Sequence, residues 1–597
     1  MNRARDRIPA LIGWTVAALT IIAAVIVRVV DLENNPPGLW QDEASTGLDA
    51  WLLWTTQKDR AGAYLPIIAR SFGDYPLAGY RYIAAPVVGL LGLTAGNERL
   101  VAAVAGSLMV VATGLAVMRP LGRRAALAAV VSAAFCPTWV HFSRYGSEAI
   151  LLPLCLISGL AIMDRGTEQG RRWPLWLGAA VLGLSAYTYH AVKLVLPLWM
   201  AGFVVYQWPL IKTLWRRERI HLIGPILVFT LTVSPSVYTA FTSGGMARGR
   251  TVLAWYHYSG LPLARLLINN CLAYFDPGML FVRGGPAVAQ SIPGLGLWNF
   301  IELPFVLIGL YAIVRNPARH RFIAFILFWF LLGPLPGGVT YETHNVGRVI
   351  AWLPAPQIIC AYGTMTFVDW VFTRPAGGYD GVRPLEGGLI PGRVALFAAF
   401  VIGWIATATQ LAYFTLVNYP AVAERDFQFE ISRALLCAKK VRVDEKIIVS
   451  PQFQAAHVFS RFHLHDLGEG SNDPDSKWRF GTRRSAGPGE LYVTPAVKPL
   501  PRGKAVCTIT AKTGGEPRAY VFARPAAAPA KAPNPDQIDL KKQRKPHDLM
   551  RNYEPSMPTV DLDGLRPIKT SSRARRRRRP RKRRSPGLPP GRPHIKQ

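Results

Sequence analysis

The chain has 597 residues, of which 50% are apolar, yet it carries 69 Lys/Arg against 36 Asp/Glu for a formal net charge of +33. With a positive mean hydropathy, that balance excludes an ordinary soluble protein and fits a polytopic membrane protein whose charge lies in loops and termini. The sequence contains no P-loop, GxGxxG, HExxH or GxSxG in a strand-to-helix context, which leaves nucleotide-driven chemistry without support.

The first apolar run, about 8–30, follows Arg3, Arg5 and Arg7. It is long enough to span a bilayer, too long for a signal-peptide core and without a small-x-small cleavage site, and reads as an uncleaved signal anchor. Further runs of spanning length fall at about 97–117, 125–140, 149–163, 174–190, 192–210, 219–238, 297–315, 321–338, 348–370 and 391–417. The loops between them alternate. One set is basic (Arg119 to Arg124, Arg165 to Arg172, Lys212 to Arg219, Arg315 to Arg321, Arg374 to Arg393) and the other is long or mixed (31–96, 141–148, a turn near His190, 239–296, 339–347). Cytoplasmic loops concentrate Lys and Arg, so the basic set is placed inside. About eleven transmembrane helices result, with the N-terminus cytoplasmic and residues 418 onward extracytoplasmic. The apolar stretch 75–95 is read as a helix along the interface, because a twelfth span would put every later arginine-rich loop outside.

Composition changes after 417. The short runs 446–450, 490–493 and 505–510, with a mixed helix over 422–440, predict a small α/β extracytoplasmic domain over 418–523. The six cysteines show no CxxC or Cys/His metal spacing. Cys437 and Cys507 both lie in this late region, and whether they pair is left open by the sequence. Residues 524–597 form a Pro- and Arg-rich tail with ten basic residues between Arg573 and Arg584. This tail is expected to be disordered, either as a solvated segment or bound to anionic lipid or wall polymer, and an external location excludes nucleic acid.

Asp42 and Glu43 are adjacent carboxylates in the first outer loop, 31–96. One reading makes one of them a general base for an acceptor hydroxyl or amine; the other reading has them favouring the N-terminus of a juxtamembrane helix starting near Ala44. The turn His141-Phe-Ser-Arg-Tyr-Gly-Ser-Glu148 brings Arg144, suited to a phosphate, and Glu148, which pairs with Arg144 or binds a divalent metal. The ion pair is the preferred reading. Arg248 and Arg283 in the loop 239–296, and His344 and Arg348 in 339–347, group further cations on the same face, suited to a lipid-linked phosphate. His190 and Lys193 end another outer turn, where Tyr187 and Tyr189 read as interface aromatics.

These residues, with Gly73-Asp-Tyr-Pro-Leu-Ala-Gly-Tyr-Arg-Tyr82, Asn97-Glu-Arg-Leu100, Met118-Arg-Pro-Leu-Gly-Arg-Arg124, His141-Phe-Ser-Arg144, Ala186-Tyr-Thr-Tyr189 and Glu302-Leu-Pro304, resemble the GT-C class of membrane glycosyltransferases. Within it they are most similar to the family of protein O-mannosyltransferases and the bacterial aminoarabinose transferase. The resemblance covers about 8–415. It implies a transmembrane glycosyltransferase domain over 1–417, a polyprenyl-phosphate sugar donor, an inverting transfer at the outer face of a bacterial plasma membrane, and Asp42, beside Glu43, as base or acceptor-orienting group. No cofactor is certain; a divalent metal, if any, falls to Glu148. Asp74 departs from the family, whose members often carry Lys or His before that Pro, and shifts donor-phosphate binding toward Arg144, Arg348, Arg248, Arg283 and His344. The rival readings are a lipid or polysaccharide transporter and a non-catalytic membrane scaffold. The sugar, the protein, lipid or glycan acceptor and the oligomeric state are not set by the sequence.

Overall fold

A computed structural model of the chain describes residues 2–523, apart from 73, 170–171, 218, 243–246, 316–320, 376–381, 385–390, 442–445, 466–475, 477, 482–489, 497–504 and 512–514. The basic tail lies outside the described residues. Helix α1 (Asn2–Val29) leads to α2 (Gln41–Thr56), α3 (Gly79–Leu91), the long α4 (Ala95–Phe135), the short α5 (Pro137–Phe142), α6 (Leu151–Gln169), α7 (Arg172–Leu184), α8 (Val192–Arg217) and α9 (Ile220–Thr242). Then follow α10 (Ala247–Val252), α11 (Gly260–Ala273), α12 (Glu302–Arg315), α13 (Arg321–Leu332), the single turn α14 (Leu335–Gly338), α15 (Ala355–Phe372) and α16 (Pro391–Tyr413). Strands β1 (Thr373–Pro375) and β2 (Val382–Pro384) pair antiparallel between the last two helices.

Each apolar run read from the sequence contains helix, although 188–190, 297–301 and 353–354 within those runs are not helical. Seven helical stretches among the described residues are long and apolar enough to cross a membrane, and the chain is a multi-pass membrane protein. The count is lower than eleven partly because α4 holds two of the expected runs. Gly122, at φ 87°, breaks α4 into two arms, a backbone conformation that a side chain would strain. Burial separates the helices that form the core from those that face lipid. Two thirds (67%) of the apolar windows of α4, α6 and α13 are buried, against 22% for α1, 17% for α9 and 11% for α16. Outward-facing Leu11, Ile12, Phe241 and Ile402 on those three helices meet hydrocarbon rather than water.

Aromatic packing ties the centre together. On α8, Trp199 stacks on Phe203 at 5.6 Å and meets Trp329 of α13 edge-on at 5.4 Å. The indole N–H of Trp329 donates to the Ala351 carbonyl at 2.7 Å. That bond fixes the 3-10 segment Val346–Trp352 against α13, and so connects helix packing to the position of Arg348.

After α17 (Tyr419–Val422) comes α18 (Phe429–Val441), then β3 (Ile447–Val449), α19 (Ala456–Leu464), β4 (Trp478–Phe480), β5 (Leu491–Pro495), β6 (Cys507–Thr510) and β7 (Pro517–Ala523). The sheet order is β4-β3-β5-β7-β6; β3 runs parallel to β4 and β5, and β7 antiparallel to β5 and β6. Three of the five strands match the runs read from the sequence; α19, β4 and β7 were not foreseen. Cys437 of α18 and Cys507 of β6 form a disulfide, a bond that persists in an oxidising compartment. This region seats on the helical body through Arg433 to Asn34 at 2.8 Å, Gln454 to Gln41 at 3.0 Å and the His465 ring nitrogen on the Leu93 carbonyl at 3.1 Å.

If residues 418 onward lie outside, a membrane-impermeant maleimide applied to intact cells labels Cys437 and Cys507 only after an impermeant reductant. Labelling without reduction refutes the pairing, and labelling only after lysis refutes the orientation. A second expectation concerns pH. Burial, with Lys439, His465 and Arg433 nearby, lowers His463 from 6.5 to about 3. The unfolded chain therefore binds a proton that the folded one refuses, so stability is full above 6.5 and is lost as pH falls toward 3, by about 1.4 kcal/mol per unit. His457, lowered to about 4, adds to the same trend, so unfolding of the C-terminal region between pH 7 and 4.5 is expected to be pH-dependent in the wild type and less steeply so in His463→Leu.

Candidate functional site

Helix α2 begins at Gln41, three residues earlier than expected, with Trp40 as its N-cap. The two adjacent acids then part company. Glu43 is 1% exposed. Its carboxylate accepts from the Trp40 backbone N–H at 2.7 Å and the Gly146 N–H at 2.8 Å, and it pairs with Arg99 of α4, whose Nε lies at 2.8 Å. The remaining guanidinium donors of Arg99 reach the carbonyls of Leu32, Pro36 and Gly38 at 2.7–2.8 Å. Gly38 sits at φ +71°, and a Cβ there would meet the Phe427 backbone, so this carbonyl is presented by a residue that only glycine suits. Asp42, one residue earlier, is exposed; its carboxylate accepts from the Trp40 indole N–H at 3.2 Å. The helix-capping reading thus falls on Glu43, and Asp42 is the carboxylate that faces solvent.

Further along α2 the side chains are polar and fixed. Asp49, on the same helix and fully buried, accepts from Arg60 at 2.8 Å and from Arg81 of α3 at 3.1 Å. Arg81 also pairs with Glu148 at 3.3 Å. Burial alone would lower the Arg81 guanidinium, but Asp49 and Glu148, with Asp42 in reach, more than offset it and the net direction is up. Tyr145 is pushed above its ordinary value by burial, with Glu43, Tyr189 and Asp42 adding to the effect.

Two expectations are corrected here. Arg144 does not pair with Glu148, whose partner is Arg81. The guanidinium of Arg144, 2% exposed, instead donates to the carbonyls of Val27, Val30 and Asn35 at 2.6, 2.8 and 3.0 Å. It satisfies the carbonyls at the C-terminal end of α1, which would otherwise lack partners, and is placed there rather than toward a phosphate. The turn's His141 is likewise a packing residue, its Nε2 on the Ala289 carbonyl at 3.0 Å and its ring against Tyr145 and Tyr419.

The remaining cations separate into two groups. Arg348 lines a cavity of about 260 Å³ together with Tyr189, His190 and Lys193. Its guanidinium donates to Thr340 Oγ1 at 2.8 Å and pairs with Glu342 at 2.7 Å. Lys193 Nζ lies 3.3 Å from His190 Nδ1, and Asp74 is close enough to act on it electrostatically. The other wall is apolar, with Leu194, Val252, Leu253, Trp255, Pro336 and Val339. Arg283 is not part of this cavity; it is largely exposed and paired with Asp276. His344 contacts Thr343 at 2.7 Å and the Tyr274 ring, and Arg248 lies on α10, with its side chain outside the described atoms. The sequence reading noted Lys193 and His190 only as an outer turn and gave Arg99 and Arg81 no role. The signal available was a charged residue on an otherwise apolar helix, which has to find partners inside the fold. Among the described residues no group of three or more His, Cys, Asp or Glu could hold a metal.

Comparison with known proteins supports this architecture. No protein-family profile matches the chain, and no curated protein matches it in sequence. Among solved structures, ArnT from Cupriavidus metallidurans bound to undecaprenyl phosphate superposes with a TM-score of 0.51 at 15% identity, covering 87% of this chain and 99% of that one. The archaeal oligosaccharyltransferase AglB from Archaeoglobus fulgidus, in complex with an inhibitory peptide and a dolichol-phosphate, gives 0.45 at 12% identity over 76% of this chain and 63% of its own. The arabinosyltransferase EmbB from Mycobacterium smegmatis gives 0.37 at 12% over 69% and 40%. The chain has the fold of the GT-C membrane glycosyltransferases. It matches ArnT over nearly all of that protein's length.

Because removal of one partner strands a buried charge, Glu43→Gln and Arg99→Gln are each expected to cost about 3–5 kcal/mol. Their double variant should be less destabilised than the sum, and Asp42→Asn should fall within about 0.5 kcal/mol of wild type, as expected away from such features. Thermal melts of the detergent-solubilised proteins check all four; additive losses, or a large loss in Asp42→Asn, contradict the assigned division between the two acids.

Proposed function

We propose that the protein is an integral-membrane glycosyltransferase that takes a sugar from a polyprenyl-phosphate carrier and passes it to an acceptor at the outer face of a bacterial plasma membrane. The observation that carries this reading is a cavity cationic on one side, at Lys193 and Arg348, and apolar on the other, in a molecule that also presents an exposed carboxylate, Asp42, at the N-terminus of α2.

In this reading the donor's phosphate lies against Lys193 and Arg348, and its isoprenoid chain runs along Leu194, Val252 and Trp255. Guanidinium and ammonium donors suit a phosphate at different points: the first by paired hydrogen bonds, the second as a compact charge. The departure at Asp74 then has a counterpart. The cation arises from the start of α8, and the acid from the first loop faces it. Asp42 takes the proton of an acceptor hydroxyl or amine as that atom attacks the anomeric carbon. The new glycosidic bond forms as the bond from that carbon to the phosphate oxygen breaks, with inversion. The electron pair leaves on the polyprenyl phosphate, where Lys193 and Arg348 stabilise the gathering charge. Glu43 touches no reacting atom; it holds the helix end that presents Asp42. In this reading Glu148 stays paired with Arg81.

The test is turnover of a radiolabelled polyprenyl-phosphate sugar panel by the full chain in lipid nanodiscs. Asp42→Asn is expected to lower kcat by about 10²–10⁴ with little change in KM for the donor, the range for loss of a general base. Lys193→Gln and Arg348→Gln should instead raise the donor KM as well as lower kcat. Wild-type turnover in Asp42→Asn removes the carboxylate from the chemistry, and no consumption of any donor by wild type overturns the transferase reading.

A further inference from the structure

A second cavity, about 330 Å³, lies at the opposite end of the helical body from the candidate site by the charge-based topology. It is walled by Trp14, Ala17 and Ile21 of α1 and by Val111, Leu115 and Met118 of the first arm of α4, with Leu127 and Val130 of the second arm closing it. The kink at Gly122 creates it: the two arms of α4 diverge from this elbow and α1 bridges them. At Gly114, inside the wall, a Cβ would come within 2.6 Å of Val130 Cγ2, so the arms approach closely there and open toward the elbow.

Arg123 and Arg124 line the mouth. Both are exposed, and neither has a hydrogen-bond or ion-pair partner among the described residues. No carboxylate lines the cavity. Two unpaired guanidinium groups over an apolar slot at the membrane edge match one chemistry, an acyl chain joined to a phosphate. The slot extends over residues 111–118 of α4 and 13–21 of α1, roughly 10–12 Å of helix axis, so it takes the upper part of a chain while the headgroup stays at the interface. The basic loops place this mouth on the cytoplasmic face, where anionic lipid is drawn to juxtamembrane arginines. The chain's own basic tail, with like charge, is a poor occupant.

We propose that this cavity is a binding site for an anionic phospholipid of the inner leaflet, its phosphate on Arg123 and Arg124 and one acyl chain between α1 and the arms of α4. The lipid seals the elbow and fastens α1, whose spanning stretch is only 22% buried, to α4. This inference does not depend on the glycosyl-transfer reading.

The test uses the full chain in phosphatidylcholine nanodiscs doped with phosphatidylglycerol whose acyl chain carries a diazirine, with cross-linked peptides mapped by mass spectrometry. Label is expected within 13–21 and 111–130, displaced by unlabelled phosphatidylglycerol but not by phosphatidylcholine. Arg123→Gln/Arg124→Gln should weaken the competition by roughly fivefold for each arginine removed, and Ala17→Phe, which fills the slot and keeps both arginines, should lower labelling there. Thermal melts confirm that both variants fold. Equal displacement by the two lipids, or unchanged labelling in either variant, means adventitious bilayer lipid only and overturns the proposal, as does label confined to other helices.

Discussion

A carboxylate and a guanidinium buried side by side, Glu43 and Arg99, set the geometry at the site end of the molecule. Each would be costly to remove from water alone. Here every N–H of the Arg99 guanidinium has an acceptor, divided between Glu43 and the carbonyls of Leu32, Pro36 and Gly38. Such a pair is weak evidence for net stability, because two well-packed apolar residues often do as well. What it provides is position. One interaction fixes the exit of α1, the N-terminus of α2, the outer end of α4 and the turn at Gly146, and Asp42 is held where those four meet. Arg144 acts on the same junction from the other side through the end of α1, so two buried arginines frame the first loop.

The cavity lined by Lys193 and Arg348 has a different origin. Its cations come from segments far apart in the chain, Lys193 from the start of α8 and Arg348 from the 3-10 turn before α15. They are brought together by aromatic packing between α8 and α13 and by the single bond from Trp329 to Ala351. Close-packed interiors of this kind transmit strain with little compliance. The polar frame at Glu43 and Arg99 and the aromatic frame behind Arg348 are thus built from different interactions.

Much of the helical body was legible because a bilayer demands uninterrupted apolar runs, and these stand out however the chain is folded. The strands 446–450, 490–493 and 505–510 were legible for a similar local reason, their short β-like runs. Arg144 was misread because its partners, Val27, Val30 and Asn35, lie 117, 114 and 109 residues away. Its neighbour in sequence, Glu148, offered a pairing that proximity along the chain suggested and the fold did not make. Asp42 and Glu43 were found as a pair but could not be told apart, since which of two consecutive residues points inward depends on where the helix begins. Lys193 was passed over for the same physical reason as Arg144: a cavity is a property of segments that meet, and no local pattern announces the meeting.

The separation of roles between two consecutive acids has a consequence for how such a protein diversifies. Glu43 belongs to the inherited frame, and change there undoes several elements at once. The segment that follows α2 is tied by isolated bridges and by Arg60, whose backbone and guanidinium donate to Asp49. Change in that segment therefore leaves the Glu43–Arg99 pair, and with it the helix end that carries Asp42, in place.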